Sequence, residues 1–132
     1  MINILKLTVL GKVPAKSSGR QLIYNRKTGR PFIISSKETL QYERDFAVQV
    51  CAIKCPFTKE DRLSVRLHWF PPDNRQDIDS VPKTVFDCLQ KCEIIPNDNK
   101  FDFMQVLRTV DKKNPRVEIE ITKRDIAQIP EI

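Results

Sequence analysis

The first 37 residues of this 132-residue chain contain no aspartate or glutamate; the first acid is Glu38. The same stretch carries Lys6, Lys12, Lys16, Arg20, Arg26, Lys27, Arg30 and Lys37, so an unneutralised positive surface is expected in the amino-terminal third. Such a surface attracts polyanions, nucleic acid first among them, the alternative being a solvated basic loop without a partner. Long apolar runs are also missing. The best, Ile2 to Leu10, is broken by Asn3, Lys6 and Thr8, and a membrane span needs roughly 20 apolar residues. No small-residue cleavage site follows it, so no membrane association and a cytoplasmic address are expected. A membrane-surface helix is excluded over Lys12 to Arg30 because Pro14, Gly19 and Gly29 interrupt it.

Glycine is scarce, with three in the chain, and there is no repeat or low-complexity segment. With 40% hydrophobic and 30% charged residues and a net charge of +6, the composition is that of a globular α/β or α+β protein. The length suits one domain over residues 1–132, with no room for a separate nucleotide-binding half and no small-molecule cofactor expected. The four cysteines, Cys51, Cys55, Cys88 and Cys92, form two C-x₃-C pairs inside helical patterns. They read as reduced packing residues in preference to a zinc site, which prefers its cysteines in a loop.

Hydrophobic spacing orders the elements. Leu5, Leu7 and Val9 alternate in a first strand over 2–10; Leu22 to Tyr24 and Phe32 to Ile34 suggest a short hairpin across a basic, turn-rich segment. Ser35 and Glu38 have the spacing of a capping box ahead of a helix over 36–54. Leu63, Val65, Leu67 and Trp69 mark a strand that stops at Pro71-Pro72. Ser80 suits an N-cap for a second helix over 81–92, and strands at 102–110 and 116–122 close the chain. The fold class expected is α+β, a mixed sheet flanked by two helices in the order β, short hairpin, α, β, α, β, β.

The chemistry concentrates ahead of the second helix. Asp77 and Asp79 are one residue apart, and in an extended backbone both carboxylates would face one way while Ile78 turned to the core. Two such oxygens suit a hard cation such as Mg²⁺. Lys83, four residues after Asp79, and Asp87, four after Lys83, would share a helix face, where a lysine can stabilise charge on a phosphate. Asp98 joins as a third ligand only if the fold returns it. On spacing alone the same residues also read as a helix start favoured by the dipole, with an ordinary surface ion pair.

The run Asp77-Ile78-Asp79-Ser80-Val81-Pro82-Lys83-Thr84-Val85-Phe86-Asp87-Cys88-Leu89, followed by Asn97-Asp98, resembles the D-x-D-N-x-x-K-x-x-x-D-x-L segment of the RusA family of Holliday-junction resolvases. The match is strong over about 75–110 and diffuse before it. The resemblance implies a Mg²⁺-dependent homodimer that nicks four-way DNA junctions symmetrically, with catalytic residues Asp77, Asp79, Lys83 and Asp98. Asp77, Asp79 and Asp98 would be the metal ligands, and Lys16, Arg20, Arg26, Lys27, Arg30, Asn74 and Arg75 are the expected DNA contacts. Two departures stand out: Ser80 replaces the family's Asn, and Asn97 stands beside Asp98 where an acid is expected. Rival readings are a non-catalytic binder of branched DNA on the same scaffold and a nuclease of flaps or single strands. His68 reads as a packed or surface histidine, and Phe70 as a candidate wedge into an opened junction.

Overall fold

The computed structural model describes residues 4–14 and 20–124. Its elements follow the expected order: β1 (Ile4–Leu10), β2 (Arg20–Tyr24), β3 (Pro31–Ser35), α1 (Lys37–Val50), β4 (Leu63–Phe70), α2 (Ser80–Lys91), a 3-10 turn (Asp98–Lys100), β5 (Phe101–Arg108) and β6 (Arg116–Lys123). Four strands form one mixed sheet in the order β1-β6-β4-β5, and β2 and β3 form a separate antiparallel hairpin. The final strand is thus central: β6 runs antiparallel to both β1 and β4, while β4 and β5 are parallel through the α2 crossover.

Alternation along the strands decides the layers. Leu63, Val65, Leu67 and Trp69 of β4 join Leu7, Val9, Val117, Ile119 and Ile121 in one core. Tyr42, Phe46 and Val50 of α1 and Val81, Val85, Cys88 and Leu89 of α2 enter the same cluster, at the spacing of a helical stripe. Both helices therefore cover one face of the sheet. The other face carries Lys6, Thr8, Arg66, His68, Gln105, Leu107, Glu118 and Glu120 along an open groove.

Two helix boundaries differ from the sequence reading for local reasons. Strand β3 runs on through Ser35, which pairs with Arg20, so Ser36 is the cap of α1 and its hydroxyl accepts from the Thr39 amide at 3.2 Å. The helix ends at Val50, leaving Cys51 exposed at its C-cap and Cys55 in the following loop, not on a helical stripe. All four cysteines are free thiols, and burial pushes the Cys88 thiol up to about 12. Among the described residues, no helix is long and apolar enough to cross a membrane.

Candidate active site

One edge of the sheet gathers the ends of β1, β4 and β5 and the start of β6. The Gly11 amide donates to the Pro115 carbonyl at 2.9 Å, Thr109 N–H to Trp69 O at 2.9 Å, and Asp111 N–H to Pro71 O at 2.8 Å. The loop joining β4 to α2 starts here. Its Gln76 side chain donates to the Pro14 carbonyl at 3.2 Å and to Ser80 Oγ at 3.1 Å, while Arg108 Nη1 donates to the Gln76 carbonyl at 3.1 Å.

The Asp77–Asp79 segment is wound into a turn and is not extended. Ser80 N–H and Ser80 Oγ both donate to the Asp77 carbonyl, at 3.2 and 2.7 Å. Asp79 has helical dihedrals, φ −73° and ψ −14°, and caps α2 through its backbone alone. Ser80 is consequently the first residue of α2 instead of its cap, because its buried hydroxyl is committed backwards to the loop. In such a turn side chains two apart no longer share a side, and Ile78 is 41% exposed instead of pointing into the core. Asp77 and Asp79 are both exposed.

Asp98 is brought back to the same helix. After α2, Glu93 adopts a left-handed φ of 59°, and Ile94 N–H donates to Leu89 O at 2.9 Å, so the chain reverses along α2. Ile94 and Ile95 bury themselves in the core and hold that reversal in place. Lys83 Nζ then stands 3.9 Å from Asp98 Oδ2 and 3.3 Å from Asp87 Oδ1. Asn97 Oδ1 accepts from Asn99 N–H at 3.2 Å and caps the 3-10 turn that presents Asp98. An aspartate there would make the same bond, so the departure at this position removes charge but keeps the local structure.

The donors are hard carboxylate oxygens, which fits a cation such as Mg²⁺. Among the described residues, no three His, Cys, Asp or Glu side chains stand close enough to hold an ion. The ammonium of Lys83 is the cation beside Asp98 in this arrangement.

Of the expected DNA contacts, Arg26, Lys27 and Arg30 lie exposed on the β2–β3 turn. Asn25 shapes that turn: its Oδ1 accepts from Lys27 N–H at 2.9 Å, and its carbonyl accepts from Gly29 N–H at 2.7 Å where Gly29 takes φ +69°. Asn74 and Arg75 are exposed in the β4–α2 loop. Arg20 opens β2; Lys16 and the Arg20 side chain lie outside the described residues. Phe70 is no free wedge: it is 8% exposed, stacked on His68 at 4.0 Å and covered by the Arg116 guanidinium at 3.7 Å. Alternation puts it on the sheet face opposite Trp69. His68 Nε2 is hydrogen bonded to Thr109 Oγ1 at 2.8 Å, a packed histidine as its strand position suggested. Gln76, Ser80 and Arg108 were missed as loop-holding residues. Only Ser80, as a departure from the family pattern, carried any signal.

Two comparisons with known proteins bear on this arrangement. The family described as Endodeoxyribonuclease RusA matches residues 12–122. The crossover junction endodeoxyribonuclease rusA of Enterobacteria phage HK97 is 29% identical over 101 residues, covering 76% of this chain and 83% of that protein.

Proposed function

The chain belongs to the RusA family of endodeoxyribonucleases, and on that footing we propose that it resolves four-way DNA junctions as a Mg²⁺-dependent homodimer cutting two symmetric strands. The observation that carries the reading is Lys83, which joins Asp98, distant in sequence, to the opening turn of the helix that Asp79 caps. The phage HK97 relative is named as a crossover junction endodeoxyribonuclease, and a junction with two-fold symmetry suits a two-fold enzyme.

Asp77, Asp79 and Asp98 would hold the ion, which when bound supplies a polarised phosphate and a more acidic water. Gln76, Ser80 and Arg108 hold the backbone of the Asp77 loop against the start of α2. Lys83, restrained by Asp87 and Asp98, places a positive charge where charge builds up on the phosphate being cut. Lys16, Arg20, Arg26, Lys27, Arg30, Asn74 and Arg75 bind the DNA backbone. Gln76 ties the Pro14 carbonyl to the aspartate loop, so the segment that follows β1 passes beside that loop.

The test offers labelled four-way junction, linear duplex and flap DNA with Mg²⁺ or EDTA. Paired junction nicks that EDTA abolishes are expected, with a hundredfold or greater loss in Asp79→Asn while junction binding persists. Binding without nicking would favour the non-catalytic scaffold, and preference for flaps would favour the other nuclease reading; either result defeats the proposal.

A further inference from the structure

Of the chain's two tyrosines, Tyr42 is buried in the core, whereas Tyr24 is 62% exposed. Tyr24 closes β2 at the head of the turn that carries Arg26, Lys27 and Arg30. Among the described side chains, Phe103 is the other aromatic more than half exposed, and it follows an aspartate, Asp102. A single exposed ring is ordinary on a protein surface. A ring set among three cations on a folded turn has the composition that binds unstacked nucleotides, a flat face for the base and charges for its phosphates. We propose that Tyr24 stacks on a base laid open at the branch point of the DNA, with Arg26, Lys27 and Arg30 holding the phosphates beside it. The inference rests on the resolvase reading and adds to it a residue that tells a junction from a duplex.

The turn is closed on itself. Asn25 N–H donates to the Arg30 carbonyl at 2.9 Å, and Asn25 Oδ1 accepts from Lys27 N–H at 2.9 Å and Thr28 N–H at 3.3 Å. Gly29 N–H donates to the Asn25 carbonyl at 2.7 Å and Arg30 N–H to Thr28 Oγ1 at 3.3 Å. Every amide from Lys27 to Arg30 is thus committed, so the backbone forms no anion-binding nest and contact with phosphates falls to the side chains. The same bonds fold the turn in advance, and across the hairpin Tyr24 faces Pro31, whose φ is fixed. Presenting the ring therefore costs little ordering on binding.

This division of labour separates affinity from selectivity. The three cations attract the backbone of any DNA. The bases of an intact duplex have both faces stacked, so the ring adds affinity only where stacking is interrupted. Phe70 cannot take this part, being clamped between His68 and Arg116. Tyr24 lies ten residues after Pro14, whose carbonyl is bonded to Gln76 of the aspartate loop. Ten extended residues span at most about 35 Å, about one turn of duplex, so ring and carboxylates can engage one branch point.

Binding of a four-way junction and of a linear duplex is measured in EDTA, with circular dichroism to check that each variant is folded. Tyr24→Ala should weaken junction binding about tenfold and duplex binding by less than about twofold, while Tyr24→Phe stays near native. Arg26→Ala should weaken both by the same factor and lower the salt slope by about one. On irradiation, 5-iodouracil at the branch point should crosslink to the peptide holding Tyr24, and 5-iodouracil at the far end of an arm should not. No loss in Tyr24→Ala, an equal loss on junction and duplex, a loss as large in Tyr24→Phe, or a crosslink elsewhere would overturn the proposal. Nicking by the native protein is measured with Mg²⁺ alongside. Nicking with junction binding unchanged in Tyr24→Ala removes the stacking contact alone, whereas a selective contact without nicking removes the resolvase reading and leaves the contact standing.

Discussion

Ser80→Ala isolates the lock on the aspartate loop. Ser80 is only 5% exposed, and its hydroxyl makes two bonds: to the Asp77 carbonyl at 2.7 Å and from Gln76 Nε2 at 3.1 Å. Two neutral hydrogen bonds are worth about 2 kcal/mol together. Alanine's better helix propensity at the first residue of α2 returns about 0.5 kcal/mol, leaving a net loss of about 1.5 kcal/mol. For a chain of this size that lowers Tm by about 5 °C. Because the lost bonds hold the backbone of Asp77 and not merely the core, the Mg²⁺ concentration for half-maximal junction nicking should rise severalfold as well. Thermal melts read the first effect and a metal titration of nicking the second. A Tm within 1 °C of native together with an unchanged Mg²⁺ midpoint would refute the reasoning, and a loss of stability alone would show that the lock serves the helix and not the site.

Phe70→Ala removes a ring held between His68 and Arg116; it should cost about 3 kcal/mol of stability, read by urea unfolding, and a variant of native stability that failed only in junction cleavage would restore the wedge reading. Acid should unfold the protein through three carboxylates held below the usual range: Asp61 by the Thr58 amide and Lys123, Asp102 by Arg62, and Asp111 by Arg116 and the Asn114 amide. Lowered folded values mean that their stabilisation is complete above the ordinary aspartate value of about 3.9 and is lost as pH falls through the lowered values. Melts should therefore hold level from pH 6 to about 4.5 and then decline, and an undiminished Tm at pH 3 would contradict the ion pairs.

The element order was legible because each strand and helix states its period locally, as in Leu63 to Trp69 and in Val81, Val85 and Leu89. The position of β6 between β1 and β4 was not, since alternation reports which face is buried and says nothing of which neighbour is paired. The same limit hid the open face: the pattern could not tell helices on two sides from helices on one. Within the site, Lys83 and Asp87 were legible from i,i+4 spacing. The expectation of an extended Asp77–Asp79 failed because Ser80, a residue that could have capped from outside, instead turns its hydroxyl back on the Asp77 carbonyl. Phe70 misled for a related reason: an aromatic at a strand end beside a functional loop can equally be clamped by a cation from the next strand, here Arg116.

Asp98 shows how far the site depends on the fold. Its return to Lys83 rests on the left-handed Glu93, the burial of Ile94 and Ile95, and the cap that Asn97 gives the 3-10 turn. Asn97 keeps the cap while leaving out a charge, so the departure from the family pattern is electrostatic and not structural. Asn97→Asp should then preserve the turn, because aspartate is an equally good cap, and hold Tm within about 1 °C of native, surface changes of this kind being worth under 0.5 kcal/mol. It would add a fourth carboxylate to the proposed ligand set of Asp77, Asp79 and Asp98, which should lower the Mg²⁺ concentration for half-maximal nicking severalfold. A Mg²⁺ midpoint that stays put or rises while Tm holds would mean that position 97 does not face the cation, and that the departure from the family pattern is neutral for metal binding.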